Sequence, residues 1–308
     1  MIVTTQKARQ IWALGGGKGG IGKSMVVGGM GIHIAQLGKK VILADTDLGG
    51  ANLHTCLGLP LPKVTLDDFI KRRVEKLEDV VCETNCDNLG LISGAQEFLA
   101  AANPKHAQKI RLLKKLQSLD IDYLILDLGS GTSFNILDFF LISDNGIIMM
   151  VPEPTSVENT YRFLKGAFYR RLRRVTIYRE IRELIELALD QKNIRGIKTP
   201  RDLVEEIERM DKKLGRILSE EAFKFRPKLI INQVRMDKDI ELGFSVKNIC
   251  SQYLGIQLDY LGYIYYDDCV WQSVRKKKHP ILEYPDSKAS VGIKMVANNL
   301  LQNQQFRL

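Results

Sequence analysis

Ten consecutive residues constrain this chain more than any others: Gly15-Gly16-Gly17-Lys18-Gly19-Gly20-Ile21-Gly22-Lys23-Ser24, directly after the apolar run 11–14. Residues 17–24 have the spacing Gly-x(4)-Gly-Lys-Ser of a phosphate-binding loop. Glycines let successive backbone N–H groups converge on phosphate oxygens, and a helix opening at Lys23 turns its positive end toward them. Lys23 would neutralise the β and γ phosphates and the Ser24 hydroxyl would ligate Mg2+. Such a loop works only between a buried strand and a helix, so the chain is expected to build an α/β sheet around it.

The rest of the pattern agrees. Short apolar, β-branched runs recur at 11–14, 41–44, 89–92, 123–128, 146–151, 229–231 and 260–265, with helical patterns such as 23–37 and 105–119 between them. Continuous rather than alternating apolar runs mark strands buried on both faces. The expected fold is a doubly wound, mainly parallel sheet of about seven strands, with ligands at the carboxyl ends of the strands. A composition of 45% hydrophobic and 26% charged residues excludes a disordered chain. No apolar stretch reaches the roughly 18 residues of a spanning helix, and the polar first residues carry no signal-peptide core. A cytoplasmic protein without a transmembrane segment is expected. The five cysteines, Cys56, Cys82, Cys86, Cys250 and Cys269, read as reduced thiols. The Cys82/Cys86 pair reads as two small loop residues, because no second pair completes four metal ligands.

Acidic residues end two of the buried runs. Asp45 and Asp47 follow 41–44, and Asp127 follows 123–126 ahead of Gly129-Ser130-Gly131. Acids at the carboxyl ends of strands can hold Mg2+ through water or orient an attacking water. One acid alone could be a helix cap, but three converge on the phosphate-loop edge of one sheet.

With Lys18 preceding Gly-Gly-Ile-Gly-Lys23-Ser24, and with Asp45-x-Asp47 and Asp127, the chain resembles the MinD/ParA family of dimerising P-loop ATPases carrying a deviant Walker A motif. The run from Asp47 to His54 is most similar to the branch containing the flagellar-number regulator FlhG. The resemblance covers about residues 10–160 and 226–302. It implies ATP and Mg2+ as cofactors and an ATP-sandwich homodimer with slow hydrolysis stimulated by an activating protein partner. Lys23 and the amides of Gly17, Lys18, Gly19, Gly20, Ile21 and Gly22 would bind phosphates, and Ser24 would ligate Mg2+. Lys18 would reach the partner's phosphates, Asp47 would position the hydrolytic water, and Asp45 and Asp127 would support Mg2+ through its second shell. Asn232 matches the position that contacts adenine. No Asn-Lys-x-Asp signature selects guanine, which favours ATP over GTP. Lys18 is also hard to explain within one subunit, since a second lysine on the same tight loop repels Lys23 in the empty state.

The chain departs from this pattern in three places. The last helix, 287–301, has a core-facing stripe, and only a weakly charged tail follows, which argues against a C-terminal membrane anchor. An N-terminal activation motif is reduced to a weak echo at 4–9. Tyr265-Tyr266-Asp267-Asp268 stands where a Pro-Glu/Asp loop commonly opens the adenine site. Iron–sulfur reductases and scaffold ATPases of the same class need cysteine arrangements this sequence lacks. A cobyrinate-type amidoligase and a plain DNA-partition ATPase remain as alternative readings.

The formal net charge is +9, and residues 161–228 hold 19 Lys+Arg against 11 Asp+Glu. The whole chain, 1–308, reads as one ATPase domain with a basic helical insertion at 157–225. That insertion has helices at about 157–174, 178–190 and 201–223 and a turn at 193–200. Its cationic residues Arg162, Lys165, Arg170, Arg171, Arg173 and Arg174 offer a surface for DNA, an anionic membrane or an acidic protein. Their solvated-face reading, with the aromatics packed inward, competes with this. The segment is expected to be separable, so that its deletion spares ATP binding.

Overall fold

The computed structural model describes residues 9–47, 50–94, 106–175, 182–183, 185–186, 197 and 199–307. The expected helix 178–190, the turn 193–200, the motif echo at 4–9 and Leu48-Gly49 lie wholly or largely outside them. The strands are β1 (Gln10–Gly15), β2 (Val41–Asp45), β3 (Cys82–Glu83), β4 (Leu89–Ile92), β5 (Tyr123–Asp127), β6 (Asn145–Met150), β7 (Lys228–Val234) and β8 (Asp259–Tyr265). They form one sheet in the order β3-β4-β2-β5-β1-β6-β7-β8. All pairings are parallel except β3–β4. The sheet thus has eight strands rather than about seven; the two-residue edge strand β3 is too short to leave a hydrophobic run.

The helices in chain order are α1 (Lys23–Gln36), α2 (Leu53–Cys56), α3 (Leu66–Ile70), α4 (His106–Leu116), α5 (Phe134–Phe140), α6 (Pro154–Val175), α7 (Pro200–Met210), α8 (Lys212–Lys224), α9 (Asp237–Ile249), α10 (Asp268–Arg275), α11 (Pro280–Glu283) and α12 (Lys288–Leu301). Alternate strand residues serve opposite cores. Ile11 and Ala13 face a cluster with Leu112, Leu137, Phe163, Leu203 and Ile240, whereas Trp12 and Leu14 face Val27, Met30, Ile293 and Val296. Helices α3 to α9 therefore cover one face, and α1, α2, α11 and α12 the other. On the second face α1 lies close: a Cβ on Gly31 would stand 2.6 Å from Leu43 Cδ2. Three glycines at 28, 29 and 31 weaken α1 as an isolated helix but permit this approach.

The segment between β6 and β7 corrects three expectations. First, α6 begins at Pro154 and is part of the main core. Phe163, Leu164, Ala167, Phe168 and Tyr169 are all buried, and a Cβ on Gly15 would meet Phe163 Cζ at 2.9 Å. Deleting 157–225 would remove these side chains from beneath β1, so the segment is not separable from the nucleotide loop. Second, the expected helix 201–223 is two helices, α7 and α8, broken at extended Asp211 (φ −146°, ψ 104°), whose carboxylate accepts from the N–H groups of Lys213 and Leu214. That cap restarts the helix in a new direction. Third, the cations of α6 close ion pairs, most of them with neighbouring elements. Arg170 and Arg174 bind Asp138 on α5, Arg171 binds Glu221 on α8, Arg173 pairs with Glu186 and Arg162 with Glu158. Residues 161–175 carry six cations and no acid, and at least five of those six close ion pairs.

Asp138 is the hub of this packing. Its carboxylate accepts from Lys109 Nζ of α4 (2.5 Å), Arg170 Nε (2.8 Å) and Nη2 (2.9 Å), and Arg174 Nη2 (2.7 Å). At the far edge of the sheet, the segment after α12 folds back on β8. Phe306 N–H donates to Tyr260 O at 2.7 Å, and its ring packs against Phe244, Tyr260 and Tyr263. Gln305 bridges Lys247 and Asp259.

Candidate nucleotide site

β1 stands between β5 and β6, where chain order reverses across the sheet, and the loop leaving its carboxyl end lies at that switch point. Gly22 is the N-cap of α1 in the left-handed region (φ 89°), with no side chain capping the helix. The first N–H groups of a 14-residue helix therefore face an open cavity. Gly17 is fixed by a close approach: a Cβ there would lie 2.4 Å from Asn159 O of α6. The long helix that the sequence reads as inserted thus supports the loop directly.

The cavity measures about 420 Å3 and is lined by Gly19, Gly20, Gly22, Lys23 and Ser24, and also by Asp45, Asp47 and Asp127. Lys23 is buried; its Nζ donates to Lys18 O at 3.5 Å. Burial pulls its ammonium below the ordinary value, opposed by Asp127 and Asp47. Asp127 is held well above the carboxylate range by burial and then by the charge of Asp45, and its Oδ1 is buried with no hydrogen-bond partner. Burial also raises Asp45, although its oxygens accept from Leu53 N (3.0 Å) and Asp47 N (3.1 Å). Asp47 lies against the loop after β5, since a Cβ on Gly129 would be 3.2 Å from Asp47 Cγ.

This electrostatic arrangement is incomplete without a cation. Buried carboxylates with an orphaned oxygen favour protonation unless positive charge arrives. Hard oxygen donors from Ser24, Asp45 and Asp127 suit Mg2+ bound to phosphates and water. No group of three or more His, Cys, Asp or Glu among the described residues is placed to enclose a metal directly. Cys56 also lines the cavity; burial and the charges of Asp127 and Asp45 push its thiol up to about 12, so it stays neutral.

Lys18 is set apart from this interior. Its ammonium pairs with Glu153 beyond the end of β6, and both side chains are substantially exposed. Sequence reasoning missed Glu153, although the signal that singled out Asp45 and Asp127, an acid at the carboxyl end of a buried run, applied to it. Asn232 lies at the carboxyl half of β7, buried, with Nδ2 donating to Ile21 O at 2.7 Å. That bond fixes the amide, leaving Oδ1 as an acceptor at a second cavity of about 300 Å3 that shares Gly22, Met25 and Val270 with the first. Gly19, Gly20, Gly22, Lys23, Ser24, Asp45, Asp47 and Asp127 thus line one cavity and Asn232 the next. Ile21 turns into the core, and Lys18 pairs with Glu153 outside the cavity lining.

A parallel sheet with this strand order, an uncapped glycine-loop helix and carboxylates across the cavity defines a P-loop nucleoside triphosphatase. The ParA family, described as NUBPL iron-transfer P-loop NTPase, matches residues 7–173. The chain belongs to the ParA family. It is 26% identical to the antiactivator FleN of Pseudomonas aeruginosa over 293 residues, covering 94% of this chain and 86% of FleN. It is 28% identical to the flagellum site-determining protein YlxH of Helicobacter pylori over 155 residues, about half of each chain. Its fold is that of the septum site-determining protein MinD complexed with Mg-ADP from Pyrococcus horikoshii, with a TM-score of 0.65 at 19% identity over 95% of this chain and 96% of that one. MinD in the MinC:MinD cell division complex of Aquifex aeolicus gives a TM-score of 0.63 at 19% identity, over 97% and 98% of the two chains.

Proposed function

We propose that this chain is a Mg2+-ATP-dependent dimerising switch that regulates the number or position of a cellular structure, with slow hydrolysis stimulated by a protein partner. The observation that carries it is the separation of the two lysines. Lys23 sits inside the cavity, while Lys18 sits at its rim in an exposed pair with Glu153. An exposed ion pair is worth about 0–1 kcal/mol, so Lys18 exchanges Glu153 readily for a triphosphate presented by a second copy. The printed names of the relatives, an antiactivator, a flagellum site-determining protein and septum site-determining proteins, support a regulator of placement.

In this reading the backbone N–H groups of residues 17–24 and the Lys23 ammonium hold the β and γ phosphates. The Ser24 hydroxyl, with Asp45 and Asp127, would hold Mg2+, which would neutralise phosphate charge. Asp47, against the loop after β5, orients the attacking water. Asn232 Oδ1 can accept from the exocyclic amine of adenine. Arg170, Arg171 and Arg174 are held on the largely buried acids Asp138 and Glu221, which favours a protein over DNA or lipid as the partner.

Light scattering of the full chain with Mg-ADP and with a non-hydrolysable ATP analogue tests this. The expected result is a monomer with the first, a dimer with the second, and a Lys18→Ala chain that binds the analogue yet stays monomeric. A dimer unchanged by Lys18→Ala would overturn the proposal.

A further inference from the structure

The second cavity carries chemistry that the phosphate loop does not explain. Its walls are largely apolar, with Val26, Ile264 and Ile293 among them, and its fixed polar groups include Asn232 and the carboxylate of Asp267, which accepts from Cys269 N and Ala289 N. Gln233 also lines it at φ 59°, in the irregular stretch where β7–β8 register is lost between Ile231 and Val234. Positive φ at a non-glycine residue and a bulge in a strand are devices that re-aim side chains at a ligand. A largely apolar slot with oriented acceptors, adjoining the phosphate site through Gly22, Met25 and Val270, has the shape and polarity of a purine site.

Helix α10 forms the wall between the two cavities. Val270 lines both, Val274 lines the phosphate cavity and Trp271 lines the apolar one. Trp271 is 61% exposed, so its indole adds little to the core. Arg275, one turn on, holds its guanidinium 4.9 Å from the ring centre, and on the same rim Arg235 lies 3.9 Å over Tyr266. A large aromatic side chain left open at the mouth of an apolar slot, braced by a cation on one side, is placed to receive a second flat ring.

We propose that Trp271 is a substrate-binding residue that covers the base of the bound nucleotide by stacking on the purine ring. The proposal rests on the nucleotide reading above and deepens it, because α10 then touches both ends of one ligand. Stacking on an aromatic side chain supports about a tenfold or greater change in affinity on truncation to alanine.

The chain contains two tryptophans. Trp12 is fully buried in β1 against Tyr123, so ligand-dependent tryptophan emission reports Trp271. The test titrates the full chain with Mg-ADP and, separately, with inorganic tripolyphosphate, in wild type, Trp271→Ala and Trp271→Phe. Expected is a change in wild-type emission with ADP whose midpoint does not depend on protein concentration. Trp271→Ala should weaken ADP about tenfold by calorimetry and leave tripolyphosphate unchanged, with Trp271→Phe restoring most of the loss. Equal ADP affinity in wild type and Trp271→Ala would overturn the proposal. So would an emission change seen only with an ATP analogue at a midpoint that moves with protein concentration, which would place the indole against a second copy. If wild type binds neither ADP nor tripolyphosphate, the nucleotide reading falls and the proposal with it.

Discussion

Replacing Asp138 by asparagine should destabilise the protein although no ligand touches it. One carboxylate there receives Lys109, Arg170 and Arg174 from two other helices, and the residue is 2% exposed. Burial alone would raise this carboxyl, but the hydrogen bonds of Arg170 and Lys109 and the charge of Arg174 outweigh it and hold it at about 2, against an ordinary 3.8. At about 1.4 kcal/mol per decade, that difference contributes about 2 kcal/mol to folding. Because the carboxyl is depressed in the folded state, its contribution is complete above pH 3.8 and is lost as the pH falls toward 2. Asp138→Asn keeps the shape and removes the charge, so it should cost about 2 kcal/mol at pH 7. Asp138→Ala should cost about 3–5 kcal/mol, since it leaves cations converging on an empty site. Urea unfolding followed by circular dichroism reads both, provided that the m-value is unchanged. The wild-type advantage over Asp138→Asn should be constant from pH 8 to 5 and narrow below 4. A midpoint for Asp138→Asn within about 0.5 kcal/mol of wild type at pH 7 would refute the reasoning.

Other outcomes follow from single contacts. His279 is buried, its Nε2 lies 2.8 Å from Met25 O of α1 and its Nδ1 accepts from Ile281 N. Burial pulls it from 6.5 down to about 4, so its neutral form stabilises the fold fully above pH 6.5, and about 3 kcal/mol is lost as the pH falls to 4. His279→Gln should flatten that slope in denaturant midpoints taken at pH 7.5 and 4.5. Gly31→Val should cost about 1–3 kcal/mol in thermal or urea unfolding, because the new side chain meets Leu43. Retention on DNA-cellulose or anionic liposomes should be absent at physiological salt, with or without ATP; salt-sensitive retention would show that the α6 pairs open to a polyanion.

The sheet and the phosphate cavity were legible because both follow from local rules. Strands buried on two faces leave continuous apolar runs, and a loop of converging amides needs glycines at fixed spacing. Long-range pairing was not legible. Arg170, Arg171, Arg173 and Arg174 look like a solvated basic face because the acids that bind them stand at positions 138, 186 and 221. The break at Asp211 was hidden by its surroundings: Leu203, Ile207, Leu214 and Leu218 are all buried and keep a helical spacing straight through it. Trp271 gave no periodic signal, since its position has meaning only where α10 divides two cavities.

The docking of Phe306 on β8 also bears on solubility. β8 is an outer strand seven residues long that carries Tyr260, Leu261, Tyr263, Ile264 and Tyr265; left bare, such a strand is a template for another chain's strand. The Phe306 N–H occupies the carbonyl of Tyr260 while its ring covers Tyr260 and Tyr263. The tail thereby acts as a gatekeeper against edge-to-edge self-association, and a chain lacking residues 303–308 should gain thioflavin-positive or light-scattering aggregates without losing its nucleotide cavity.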